Sequence, residues 1–145
     1  MRLQKLVART GLPVTFDNTT VTAYGNFGLF EAMKQTIGFD DILRQHFTVS
    51  RHHNCTYSAA ELIEVMIDCA ALGLLRFSHM EALKHDPDYQ KIKEIDQVPD
   101  ERTLRYLLSH LTLEHIEQLR QANDAVLSLK ADLDGPREVT MFSSL

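Results

Sequence analysis

The sequence predicts a mainly α-helical protein, built as a multi-helix bundle. From Asn26 onward, apolar residues recur at the i, i+3, i+4, i+7 spacing of helices that bury one face. Residues that favour the first and last positions of a helix lie at the ends of these predicted helices. Ser58 with Glu61 three residues later forms a capping box, and Asp86-Pro87 ends a helical segment because residues before proline avoid helical angles.

Three regions are predicted along the 145 residues. Residues 1–25 form an arm with short extended segments, since residues 12–25 alternate apolar and polar. Residues 26–131 form the helical domain. Residues 132–145 open with Asp132-Leu-Asp134-Gly, whose alternate carboxylates are typical of a strand with one metal-facing side. The alternative is a solvated turn, because Asp-Gly and Gly-Pro are both turn signals.

Composition and charge exclude several classes of protein. The chain has 44% hydrophobic and 24% charged residues, as globular proteins do. Its longest apolar stretch, residues 62–75, is interrupted by Glu64 and Asp68 and is shorter than the roughly 20 residues of a membrane span. We therefore expect a cytoplasmic protein without a membrane partner. The net charge of −5 argues against strong binding of nucleic acid by the whole surface, so any such role needs a local patch.

The strongest predicted helix begins at Ser58 and extends to about Leu75. Its polar residues Glu61, Glu64 and Asp68 form one narrow stripe, while apolar residues cover the rest of its surface. The helix is predicted to be the centre of the core, with the polar stripe facing water. On that interpretation, Glu64→Ala would hardly change stability.

A second helix, after Pro99, carries the candidate DNA-binding residues. Its leucines repeat at helical spacing, and Asp100 stands at the N-cap position. Such a helix, apolar on one side with Arg and hydroxyl groups on the other, is typical of the recognition helix of a helix-turn-helix segment. The alternative is a solvated face in a bundle. The candidate DNA-binding residues are Arg102, Thr103, Arg105, Tyr106 and His110.

Metal-binding signals are weak. His46, His52, His53 and Cys55 lie close together, but no second cluster supplies the roughly four ligands of a zinc site. Structural histidines explain this pattern better. The carboxylate stripe of the strongest helix could in principle chelate a cation, although a solvated stripe is the simpler interpretation.

Several short motifs follow one another from about Val21 onward. They are Thr22-Ala-Tyr-Gly, Leu29-Phe30, Tyr57-Ser-Ala-Ala-Glu-Leu62, Arg76-Phe-Ser-His-Met-Glu-Ala-Leu83, Asp86-Pro87, Val98-Pro-Asp-Glu-Arg-Thr-Leu-Arg105 and Asp132-Leu-Asp134-Gly. In this order and separation they resemble the N-terminal part of a bacterial insertion-sequence transposase of the DDE class, whose core is ribonuclease-H-like. The resemblance covers most of the chain.

The resemblance implies a helical domain that helps to bind the terminal repeats of the element, followed by a core that cleaves and joins DNA with Mg²⁺. Asp134 best matches the first catalytic, metal-binding aspartate of an intact core, and Asp132 is the second choice. Pro136 stands where the family has Thr, and nothing matches the later Asp and Glu. We therefore expect a truncated or frameshifted product that is inactive as an enzyme and has no cofactor of its own.

The partners that the resemblance implies are DNA and a second transposase chain, in a homodimer or in a heterodimer with intact transposase. One alternative is a non-catalytic helical interaction domain that regulates intact transposase. A helical transcription factor is a third, weaker interpretation.

Overall fold

A computed structural model describes residues 24–52 and 54–135. These residues form seven α-helices and one short 3₁₀ helix, and they contain no strand, which confirms the predicted multi-helix bundle. The α-helices are α1 (Phe27–Ile37), α2 (Phe39–His46), α3 (Ala59–Ala71), α4 (Glu81–Lys84), α5 (Pro87–Lys93), α6 (Glu101–Ser109) and α7 (Leu113–Asp134), and the 3₁₀ helix is Phe77–Met80.

Helices α1 and α2 form a tight corner. Gly38 ends α1 and begins α2 with φ +65°, a left-handed conformation that glycine adopts without steric cost. α1 packs against α2 and α5, and the Phe27 and Tyr89 rings meet at 4.8 Å between centroids. Both rings are almost fully buried. This contact connects the first helix to the middle of the chain.

Helix α3 is the centre of the core, as predicted. Its capping box is present: Glu61 N–H donates to Ser58 Oγ (3.2 Å), and Ser58 N–H donates to Glu61 Oε2 (2.6 Å). α3 is packed between α2 and α6. It ends at Ala71, earlier than predicted, so Leu75 is 81% exposed. Its buried apolar side chains are Ala59, Ala60, Leu62, Ile63, Val65 and Cys69.

After α3, the chain changes direction at Asp86, between α4 and α5. Asp86 follows α4 and caps α5, because its carboxylate accepts hydrogen bonds from the N–H groups of Asp88 (3.0 Å) and Tyr89 (3.2 Å). Pro87 is the first residue of α5, where proline is tolerated. α6 then packs against α3 and the 3₁₀ helix. This packing holds the candidate DNA-binding helix on the core.

The last helix, α7, packs along α2 and continues through Asp134. The predicted strand at Asp132–Asp134 is therefore wrong. The residues before it continue the helical register without a break, and the helix ends only at Gly135, where φ is +69°. The extended segments predicted within residues 1–23, and residues 136–145 of the predicted core stub, lie outside the described residues.

None of the helices in the described part of the chain combines the length and apolar character that a membrane span requires.

Candidate nucleic-acid interface

Helix α6 presents the predicted polar face to solvent. Leu104 and Leu107 are buried against the body of the domain, while Arg102, Arg105 and Tyr106 are exposed. His110, just beyond the end of the helix, is also exposed, and Thr103 is half-buried. The structure therefore places the five candidate residues on one helix and its C-cap. Leucine spacing alone was enough to predict this orientation.

Several side chains on the exposed face of α6 contact one another or a neighbouring residue. Arg105 donates to Glu101 Oε1 at 2.6 Å, and its guanidinium lies 4.9 Å from the centre of the Phe77 ring. The rings of Tyr106 and His110 lie 4.2 Å apart and tilted, one turn apart on the helix. Arg105 is therefore partly neutralised, while Tyr106 and His110 offer an aromatic surface of the kind on which bases stack.

Arg102 differs from Arg105 in its charge environment. It lines an open cleft of about 570 Å³ with Glu81, Lys84, Asp100, Glu101 and Arg105. In this cleft Lys84 binds Asp100 and Glu81, and Arg105 binds Glu101. Within the described residues, Arg102 forms no ion pair at 4.0 Å or less. Its guanidinium is the group of this cleft that is most available to a phosphate or a base edge.

Asp100 occupies the predicted N-cap position but does not cap the helix with its side chain. Its carboxylate binds Lys84 instead, and that contact holds the pKa of Asp100 below its ordinary value. The first N–H groups of α6 therefore receive no side-chain cap from Asp100. Free N–H groups at the start of a helix favour an anion.

The helix-turn-helix arrangement stays a prediction. Residues 94–100 separate α5 from α6, a longer connection than the 3–4 residues of that motif. Glu94 lies in this connection with φ +55°, a left-handed backbone conformation that residues other than glycine rarely adopt. The 110–112 connection between α6 and α7 has the length of the motif, but α7 begins with Glu114 and Glu117, which repel phosphate.

The two candidate catalytic aspartates lie on a helix and not on the predicted strand. Asp132 is exposed near the end of α7, and Asp134 is the last residue of that helix. Their roles as metal ligands of an intact core stay predictions.

A buried cluster of charges lies elsewhere, between α1, α3 and α5. Lys34 Nζ lies 2.6 Å from Asp68 Oδ1, 2.9 Å from Glu64 Oε1 and 2.7 Å from Glu31 Oε2. Lys93 reaches the same carboxylates, binding Glu64 and lying 3.2 Å from Asp68 Oδ2. The side chain of Asp68 is fully buried and that of Lys34 is 3% exposed. The predicted water-facing stripe is wrong for Glu64 and Asp68, because lysines from two other helices cover them.

Hydrogen bonds and burial act in opposite directions on these groups. Burial alone would lower the pKa of Lys34, but the charge of Asp68 and the hydrogen bond to it raise that pKa above its ordinary value. Burial would raise the pKa of Glu64, yet hydrogen bonds from Lys93 and Lys34 hold it below its ordinary value. Burial raises the pKa of Asp68, which also accepts a hydrogen bond from the Tyr89 hydroxyl at 3.1 Å.

The arrangement of charges in this cluster indicates a structural role. Oxygens of Glu31, Glu64 and Asp68 lie within 4.8 Å of one another, a spacing that could hold a metal ion. However, the two ammonium groups occupy the space between them and neutralise two of the three negative charges. Mg²⁺ does not fit beside these ammonium groups. Among the described residues, this is the one group of three or more candidate metal ligands. His53, a member of the histidine cluster noted in the sequence, lies outside the described residues.

Comparisons with models of protein families, with curated proteins and with solved structures find no match to this chain.

Proposed function

We propose that this chain is a non-catalytic DNA-binding and assembly domain of the DDE-transposase type, which binds the terminal repeats of an insertion sequence through α6. The observation that supports this proposal most is the exposed face of α6. It combines the guanidinium of Arg102, which forms no ion pair within the described residues, with the Tyr106–His110 aromatic pair, on a helix anchored by Leu104 and Leu107.

The roles of the polar residues follow from their surroundings. Arg102 donates to a phosphate or to the O6 and N7 atoms of guanine, as an unpaired guanidinium does in a major groove. Arg105 contributes less, because Glu101 already accepts its hydrogen bonds. Thr103 and His110 supply donors at either end of the face, and Tyr106 packs on sugar or base. Few phosphates are contacted, so binding is weak and depends only shallowly on salt.

Replacing Arg102 with Ala is expected to weaken DNA binding by about 1–3 kcal/mol if it contacts a base edge, and more than Arg105→Ala does. Labelled duplexes of the repeats that flank the gene are titrated at low salt by fluorescence anisotropy. A scrambled duplex of equal length separates base contacts from phosphate contacts. If Arg102 touches only phosphate, the slope of log K against log salt flattens by about 0.9.

Arg44→Ala is the matched control, since it removes the same charge from an exposed position on α2. The control variant should bind like the wild type. Equal affinities for the wild type and for Arg102→Ala/Arg105→Ala would contradict the proposal and remove α6 from the DNA interface.

We also expect the purified chain to show no Mg²⁺- or Mn²⁺-dependent cleavage of a supercoiled plasmid that carries the repeats. Two-metal chemistry needs carboxylates from several elements on one site, and Asp132 and Asp134 lie on a single helix end. Nicking is measured by gel electrophoresis. Metal-dependent nicking that disappears in Asp134→Ala would show that this expectation is wrong.

The second candidate function is a helical interaction domain that regulates an intact transposase. The outer face of α7 favours it. Leu113 and Ile116 are more than half exposed on this helix, where a monomer would normally carry polar residues. If DNA binding does not depend on α6, this second candidate function becomes the better supported one.

A further inference from the structure

An apolar groove lies between α3 and α7. α3 packs against α2 and α6, and α7 packs against α2, while α3 and α7 face each other across a cavity of about 410 Å³. Side chains of α2, of α6 and of the connection after α6 complete its lining. We call this cavity the α3–α7 groove. None of the five candidate DNA-binding residues lines it.

The spacing of residues along the two walls explains the groove. Its α7 wall consists of four residues at i, i+3, i+4 and i+7 spacing from Leu119 to Val126, and its α3 wall has the same spacing from Ile63 to Ala70. Each wall includes an alanine, Ala122 on α7 and Ala70 on α3, whose short side chain leaves space between the helices. Several of the larger apolar side chains on both walls are therefore only half-buried.

The size of the groove selects a small ligand. Residues i to i+7 on each wall extend over about 10 Å along the helix axis. A cavity of about 410 Å³ with that length has a mean cross-section of about 40 Å², roughly half that of a helix with its side chains. A partner helix therefore does not fit inside the groove. Its volume is in the range of pockets that enclose small molecules, about 300–1,000 Å³.

The chemistry of the lining narrows the class of ligand. Asn123 is the one polar residue among the described residues that line the groove, and none of them is charged. A charged ligand would lose its hydration there without an opposite charge to compensate. Phe39 offers a ring, and Met66 a polarisable sulfur, that pack well against an aromatic ligand. The lining therefore favours an uncharged aromatic molecule with one polar group.

We propose that the α3–α7 groove binds an uncharged aromatic molecule, with its ring system between the two helices and one polar group hydrogen-bonded to the amide of Asn123. Asn123 is exposed, so this amide lies at the mouth of the groove, where the polar end of the ligand also meets water. The bound ring removes apolar surface of both walls from water, which drives binding. This binding does not depend on whether α6 binds DNA, because the candidate residues of α6 lie outside the groove.

A bound ligand also adds contacts between α7 and the core. α7 packs against α2, and a ring in the groove would contact α3 and α6 as well. A ligand that binds the folded chain and not the unfolded one raises the melting temperature. Binding in the groove is therefore measurable both directly and through thermal stability.

The probe is N-phenyl-1-naphthylamine, an uncharged aromatic amine whose fluorescence increases in apolar surroundings. Titrated into the full chain, it should bind as one probe per chain, with a dissociation constant in the micromolar range. At a probe concentration about ten times this constant, the melting temperature should rise by about 4 °C or more. A chain that does not bind the probe, or that binds it as two chains per probe, would overturn the proposal.

Two variants in the groove are compared with matched controls on the same helices. Val126→Asp places a charge in the α7 wall and should weaken probe binding about tenfold or more. Leu127→Asp makes a similar change at the next residue, which is 54% exposed and outside the groove, and should change binding by less than about twofold. Ala70→Phe fills the groove and should also weaken binding, whereas Ala71→Phe, outside the groove, should not.

The outcomes separate the groove from the other apolar surface of α7. Weaker binding in Leu127→Asp than in Val126→Asp would show that the probe adheres to exposed side chains of this helix, and would overturn the proposal. Unchanged binding in Ala70→Phe would overturn it too, because Ala70 is exposed and the larger ring displaces no core residue. If circular dichroism shows that Val126→Asp is unfolded, the comparison of Ala70→Phe with Ala71→Phe decides.

Discussion

Lys34→Met is expected to lower the free energy of unfolding by about 3–5 kcal/mol, the usual cost of removing one partner from a buried ion cluster. Methionine fills the same volume without a charge. Glu31, Glu64 and Asp68 would then share a single ammonium, that of Lys93. The variant is less stable because its three carboxylates stay buried with one ammonium group in place of two. Urea unfolding followed by circular dichroism measures it.

Lys91→Met is the matched control for this experiment. Lys91 is an exposed residue of α5, the helix that also carries Lys93, so the same substitution there should change stability by less than about 0.5 kcal/mol. If the two variants were equally stable, the buried cluster would not stabilise the fold. A large loss in Lys34→Met alone would support its role.

The effect of Lys34→Met should also depend on pH. In the wild type, Lys93 and Lys34 hold the pKa of Glu64 below its ordinary 4.5. Glu64 therefore contributes stability above pH 4.5, and this contribution is lost as the pH falls through the lowered pKa. Without Lys34, the buried carboxyls bind protons more readily. The difference between the wild type and the variant should therefore be larger at pH 7 than near pH 4.

The buried charge cluster around Lys34 could not be predicted from the sequence, and the reason is physical. Helical spacing correctly placed Glu64 and Asp68 on one side of α3, because residues four apart share a face. The pattern could not show what covers that side. Lys34 is about thirty residues away in the chain, and Lys93 lies on a helix of seven residues. The available signal was a set of carboxylates on an otherwise apolar helix.

Local signals predicted the helical elements well. The capping box at Ser58, the proline boundary at Asp86-Pro87 and the leucine face of α6 all depend on residues within a few positions of one another. The error at Asp132–Asp134 has the opposite origin. Two carboxylates separated by one residue fit a strand, but the helix that leads up to them, about five turns long, continues through the motif.

Leu62→Ala is expected to lower the free energy of unfolding by about 2–5 kcal/mol, the range for truncating a buried leucine. Leu62 has no exposed surface and lies on α3, which is packed between α2 and α6, so the cavity cannot collapse easily. Leu75→Ala makes the same chemical change just beyond this helix, where the side chain is 81% exposed, and should cost less than about 0.5 kcal/mol. Thermal or urea melts of the three proteins measure the difference. Equal losses in the two variants would mean that α3 is not the centre of the core, and the assignment of the α6 face, which rests on packing against α3, would fail with it.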